Sequence, residues 1–126
     1  MPMKKFVILA LAIASVPLSP AVALTADEAR ECQVLASSFG PKKATFEAKS
    51  AERDTLALAA ETAGETWENA EALRNFSADS AAEADTARQA YDAALASFDV
   101  AEAEVLQLGL QLNDEFIAFN SRCASK

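Results

Sequence analysis

From Ala26 to Cys123 the chain carries a single proline, Pro41, and three glycines, Gly40, Gly64 and Gly109. Ala, Glu, Leu, Asp, Gln and Arg dominate the rest, residues that lose little freedom in a helix. So long a stretch with so few breakers admits an all-α domain and little else. Start signals agree: Thr25 with Glu28 three residues on, and Ser80 with Glu83, each have the form of a capping box. Gly40-Pro41 reads as the end of one short helix and the start of another, with Pro41 at the first helical position, where its missing N–H does no harm. The expected helices span 26–38, 41–74 and 80–122, with a turn over 75–79. One segment argues otherwise. Val105 to Leu112 alternates apolar and polar residues as a half-buried strand would, but it has no partner strand and helical heptads run through it.

The two cysteines set the topology. Their midpoint falls near Ser77, at the strongest interruption after Pro41, so a chain folded back there brings Cys32 to Cys123. Residues whose numbers sum to 155 then become neighbours across two antiparallel arms. Each arm has a seven-residue column: Cys32, Phe39, Phe46, Arg53, Ala60 and Trp67 on the first, and Ala84, Tyr91, Phe98, Val105, Leu112 and Phe119 on the second. The register sets Phe39 against Phe116, Phe46 against Gly109, Ala60 against Leu95 and Tyr91 against Gly64, large opposite small as close helix packing requires. Arg53 falls beside Glu102 as an ion pair, and Trp67 beside Arg88 as a cation–π contact. The expected fold is an elongated, coiled-coil-like antiparallel helical hairpin closed by one disulfide. Residues 26–38 either continue the first arm or fold over the base as a short third helix.

The N-terminus bounds the compartment. Lys4 and Lys5 precede an apolar run from Phe6 to Val16, and Ala21-Val22-Ala23 has the small-x-small form of a signal-peptidase site. Residues 1–23 read as a cleaved signal peptide, leaving one small domain over 24–126, secreted or periplasmic. The rival is a retained anchor, but Pro17 and Pro20 cut the run short of the roughly 20 residues that span a bilayer. An oxidising compartment suits the disulfide. Without Lys4 and Lys5, nine basic side chains face nineteen acidic ones, which makes nucleic acid and anionic lipid poor partners.

Catalysis finds few candidates. The chain has no histidine, both cysteines are expected to be oxidised, and there is no nucleophile elbow or phosphate loop. A pair of carboxylates would need a concave, partly dry pocket, which a two- or three-helix rod rarely provides. No catalytic residue, metal site or cofactor is expected, and the D-x-D-x-D-G pattern of a calcium loop is missing.

Three surface features remain. Ala103, Leu106, Leu110 and Ile117 form a second apolar stripe on the last helix, offset from the hairpin seam. A two-helix hairpin leaves it bare, so either the bent 26–38 helix or another chain covers it. Glu47, Asp54, Glu61 and Glu68 recur every seven residues as an acidic line that attracts a basic partner or, more plainly, faces solvent. Phe76, in the Asn75-Phe76-Ser77 glycosylation tripeptide, either folds back onto Leu73 or is an exposed contact at the tip. The expected function is a non-catalytic structural or protein–protein interaction module of the cell envelope, binding a protein partner or a second copy. An exported inhibitor or holdase-type chaperone for a basic or partly apolar protein is the other reading.

Overall fold

The computed structural model describes residues 24–124. The signal-peptide reading of 1–23 lies outside the described residues. Two long helices account for almost all of the rest: α1 over Ala26–Ala72 and α2 over Ala78–Phe119, followed by a π-helical turn over Asn120–Ala124. At 1.5 Å per residue, the 47 residues of α1 extend about 70 Å. The helices lie side by side in opposite directions, since Cys32 and Cys123 meet at one end and Trp67 and Arg88 near the other.

The expected break at Gly40-Pro41 does not occur: α1 runs through Pro41, so no short third helix forms at the base. Proline inside a helix removes one backbone bond and crowds the carbonyl four residues earlier, at a cost of about 3 kcal/mol. Tertiary contacts on both sides of the proline offset that cost. Upstream, Cys32 is bonded to Cys123, with Cα atoms 5.7 Å apart. Phe39 packs edge-on against Phe116 at 5.7 Å and Phe119 at 5.5 Å. Downstream, Lys42 pairs with Glu115 across the seam. A bend at Gly40 would carry Phe39 away from both rings.

The first cap is as the sequence implies. Thr25 Oγ1 accepts from the Glu28 N–H at 3.2 Å while the Thr25 N–H donates to Glu28 Oε2 at 2.8 Å. The second is not. Ser77, rather than Ser80, caps α2: the Ser80 N–H donates to Ser77 Oγ at 3.0 Å. The turn therefore covers 73–77, earlier than expected. Asp79 then lies in the first turn of α2, where the helix dipole favours a negative charge.

The register survives at most of the tested pairs. Besides Cys32–Cys123 and Phe39–Phe116, Arg88 lies 5.9 Å from the Trp67 ring centroid. A Cβ added to Gly64 would come within 3.0 Å of the Tyr91 ring. Gly109, on the line facing Phe46, is buried. The Arg53–Glu102 pair does not form. Arg53 bonds its chain neighbour Asp54 at 2.9 Å instead, because exposed ion pairs contribute well under about 1 kcal/mol and the nearer carboxylate costs less side-chain order.

Burial follows the second helix's heptads. Ala84, Phe98, Ala101 and Val105 are buried on α2, and Ala60 on α1. Among the described residues no large side chain is completely enclosed, since one helix covers only one side of another. Three ion pairs bridge α1 to the rest of the hairpin beside this thin seam, Glu31–Arg122, Lys42–Glu115 and Lys49–Glu104, and a fourth, Arg74–Asp85, ties the turn to α2.

Candidate functional site

The strand-like alternation of Val105 to Leu112 resolves into two faces of α2. Val105 and Gly109 are buried against α1, with Leu108 and Leu112 half-buried; Leu106 and Leu110 face outward. With Ala103 and Ile117 they form the second stripe. Leu106 is 47%, Leu110 65% and Ile117 43% exposed, and Ala103 is also exposed. Because α1 continues without a bend-back, none of its residues covers this face.

Sequence reasoning missed Val100, which is 62% exposed. It stands three residues before Ala103 and ten before Leu110, spacings that place it on the same side of the helix. Val100, Ala103, Gln107 and Leu108 line a shallow, open groove with Lys49 and Glu104. Lys49 bridges Glu52 at 3.1 Å and Glu104 at 3.3 Å. Those two carboxylates, Glu52 first, hold its ammonium above the ordinary lysine range. The groove is thus walled by a salt-bridge cluster of one ammonium and two carboxylates on one side and aliphatic carbon on the other. It is too open to exclude water.

The acidic line is solvated throughout its length: Glu47, Asp54, Glu61 and Glu68 are all exposed. Glu47 lies 3.7 Å from Lys43, and Asp54 holds Arg53. No cation among the described residues lies within ion-pair distance of Glu61 or Glu68. Among the described residues no group of three or more His, Cys, Asp or Glu is placed to hold a metal ion. No helix among them is long and apolar enough to cross a membrane.

At the far end of the rod, Phe76 does not fold back; it is 87% exposed, beside Leu73 at 57%. The backbone beneath it is fixed by the Phe76 N–H donating to the Leu73 carbonyl at 2.9 Å. Arg74 donates to Glu71 at 2.9 Å and to Asp85 at 2.7 Å, joining the end of α1 to the start of α2. The guanidinium holds the Glu71 carboxyl below its ordinary range, and the two carboxylates raise Arg74 in turn. The Trp67 indole adds a smaller lowering to Glu71, yet its Nε1 is enclosed and makes no well-formed hydrogen bond. Trp67 instead stacks on Tyr91, with ring centroids 5.6 Å apart at 22°.

No family model, curated protein or solved structure matches the chain.

Proposed function

We propose that this protein is an exported, non-catalytic module of the cell envelope that presents α2 to another protein surface. The observation that supports this reading is the bare aliphatic stripe, which no element among the described residues covers. Leu106, Leu110 and Ile117 stand on one face of a rigid helix, and keeping apolar side chains so aligned in water costs free energy that a covering surface would recover. Neither the stripe nor the open groove beside it encloses a reacting group, so the surface suits recognition better than chemistry.

In this reading, cleavage after Ala23 releases the chain into the periplasm or the medium, where the Cys32–Cys123 bond forms. The seam is a coiled-coil one, with the disulfide standing in for the apolar area that Ala-rich helices lack. Leu110→Glu tests the stripe. Wild-type and variant proteins, each coupled to resin at equal density, are exposed to solubilised envelope proteins and to a buffer control. The expected result is a defined set of proteins retained by wild type and lost from the variant, with the variant's melting temperature unchanged. Equal retention by both would remove the stripe from the function.

Glu61 and Glu68, exposed and without a nearby cation, support the second reading, an inhibitor or holdase that meets a basic protein through its acidic line. Its binding would weaken steeply with salt. Binding through the aliphatic stripe would not.

A further inference from the structure

The partner of the α2 stripe can be narrowed, on the reading that the stripe is a protein-binding face. We propose that it binds a second copy of this chain, the two α2 helices crossing antiparallel over residues 103–120 to form a four-helix bundle at their disulfide ends.

The first argument is charge. The chain carries a formal charge of −8, so two copies repel over most of their surface. The stripe is the exception. Its two rows are Ala103, Leu110 and Ile117 on one side and Leu106, Asn113 and Asn120 on the other, each at seven-residue spacing and all uncharged. The second row continues toward the turn as Asp99 and Asp92, seven and fourteen residues before Leu106. The neutral face therefore stops where a second acidic rod could no longer be tolerated. A basic foreign partner would find nothing on these rows to pair with, whereas an identical neutral face meets no like charge.

The second argument is shape under a two-fold axis. With the axis between Gln111 and Leu112, Leu106 of each copy faces Ile117 of the other, Leu110 faces Asn113, and Ala103 faces Asn120. Every contact pairs one row with the opposite row, the arrangement of an antiparallel helix seam. Two carboxylates border the rows, Glu102 on one flank and Asp114 on the other; Asp114 lies beside Gln107 of the other copy, an amide that can donate to it. The acidic turn ends, with Asp79, Glu83 and Asp85, then point in opposite directions. A parallel dimer would set these ends side by side.

The third argument is elimination within the chain. The residues that could have bent over the stripe, 26–38, are instead the first turns of α1, tied to α2 on its other side through Cys32 and Phe39.

The contact is short, about 27 Å for the eighteen residues 103–120. Stable interfaces bury about 800 Å² per partner, so the association is reversible and depends on concentration. Sedimentation equilibrium of the purified, disulfide-bonded protein, its N-terminus read by mass spectrometry, gives the test. From micromolar to millimolar, the mass should rise from one chain toward two, nearly independent of salt. Leu110→Glu and Leu106→Glu should each weaken dimerisation roughly tenfold or more, with helicity and melting unchanged because both side chains are exposed. Energy transfer between dyes on Ser80 of the two copies should be absent, since the antiparallel register sets those positions about 90–100 Å apart. A monomer at every concentration overturns the proposal, including one whose retained residues 1–23 occupy the stripe. A dimer that survives Leu110→Glu, or one that brings the dyes together, overturns it as well. If wild type is monomeric but Leu110→Glu still loses captured envelope proteins, self-association falls and the wider protein-binding reading stands.

Discussion

The two ends of this hairpin are held by different physics. At the base, a covalent bond and three phenylalanine rings join the helices: Cys32 to Cys123, and Phe39 between Phe116 and Phe119. At the turn, the fastening is polar and aromatic. Ser77 caps α2, Arg74 spans Glu71 and Asp85, and Trp67 contacts both the Tyr91 ring and the Arg88 guanidinium. A turn of five residues already keeps its two helix ends together, so weak, exposed bonds suffice there. The base joins segments 91 residues apart in sequence, and bringing them together costs far more chain entropy. The strong fastening therefore sits where the chain itself supplies no proximity.

Reducing conditions should separate the ends most clearly. Cys123→Ser removes a cross-link whose chain-entropy value is about 4–5 kcal/mol for a loop of this length. Thermal melting should fall by many degrees. Hydrogen exchange in the variant should lose protection over 26–40 and 115–123 while retaining it over 60–95. Uniform loss across both regions would show that the ends do not act separately.

Phe39→Ala comes next, at about 2 kcal/mol, less than a fully buried phenylalanine because the ring is only half covered. The loss should be larger in the reduced protein, where the rings alone hold the base. Chemical denaturation with and without reductant measures this, and equal losses in both states would show that the bond and the rings do not support one another.

The glycines contrast the two ends at smaller scale. A Cβ at Gly40 meets nothing within 4 Å, and no described glycine has positive φ, so Gly40→Ala should stabilise by about 0.5–1 kcal/mol. Gly64→Ala gains the same helix propensity, but its Cβ would press on Tyr91 at 3.0 Å. Tyr91 is stacked on Trp67 and has little freedom to retreat, so a net loss of about 1 kcal/mol is expected. Melting curves of the two variants should move in opposite directions; matching upward shifts would show that the Tyr91 ring yields freely.

Acid should produce the smallest effect, at the turn. Glu71 is held below its ordinary value of 4.5 by Arg74, so its contribution is present above that value and is lost as pH falls through the lowered folded pKa. Exchange at 70–80 should rise under acid before exchange at the disulfide end does, and Glu71→Gln should remove that early step. An early step that persists in Glu71→Gln would assign it to another carboxylate.

Much of this was legible in residue order. The abundance of strong helix formers with so few breaks favours long helices, and the seven-residue columns assign a face to each helix. The cysteine midpoint gave a register that Phe39–Phe116, Gly64–Tyr91 and Trp67–Arg88 all obey. The stripe, too, was legible as a set of positions, though Val100 escaped because the acidic Asp99 and Glu102 beside it interrupt the apolar pattern before Ala103. Arg53 was misassigned for a different reason: register says which carboxylates are near, and the small energy of exposed pairs leaves the choice among them to side-chain geometry.

By itself the sequence determined that this chain makes two long helices lying antiparallel, because helix propensity and apolar period are written locally and the cysteine spacing admits one simple closure. Only the tertiary structure decided that α1 passes through Pro41, that Ser77 rather than Ser80 caps α2, and that the α2 stripe is left bare. The cap turns on side-chain geometry three residues apart, whereas the first and last set a local preference of a few kcal/mol or less against packing on a distant part of the chain. That packing exists only once the helices have met.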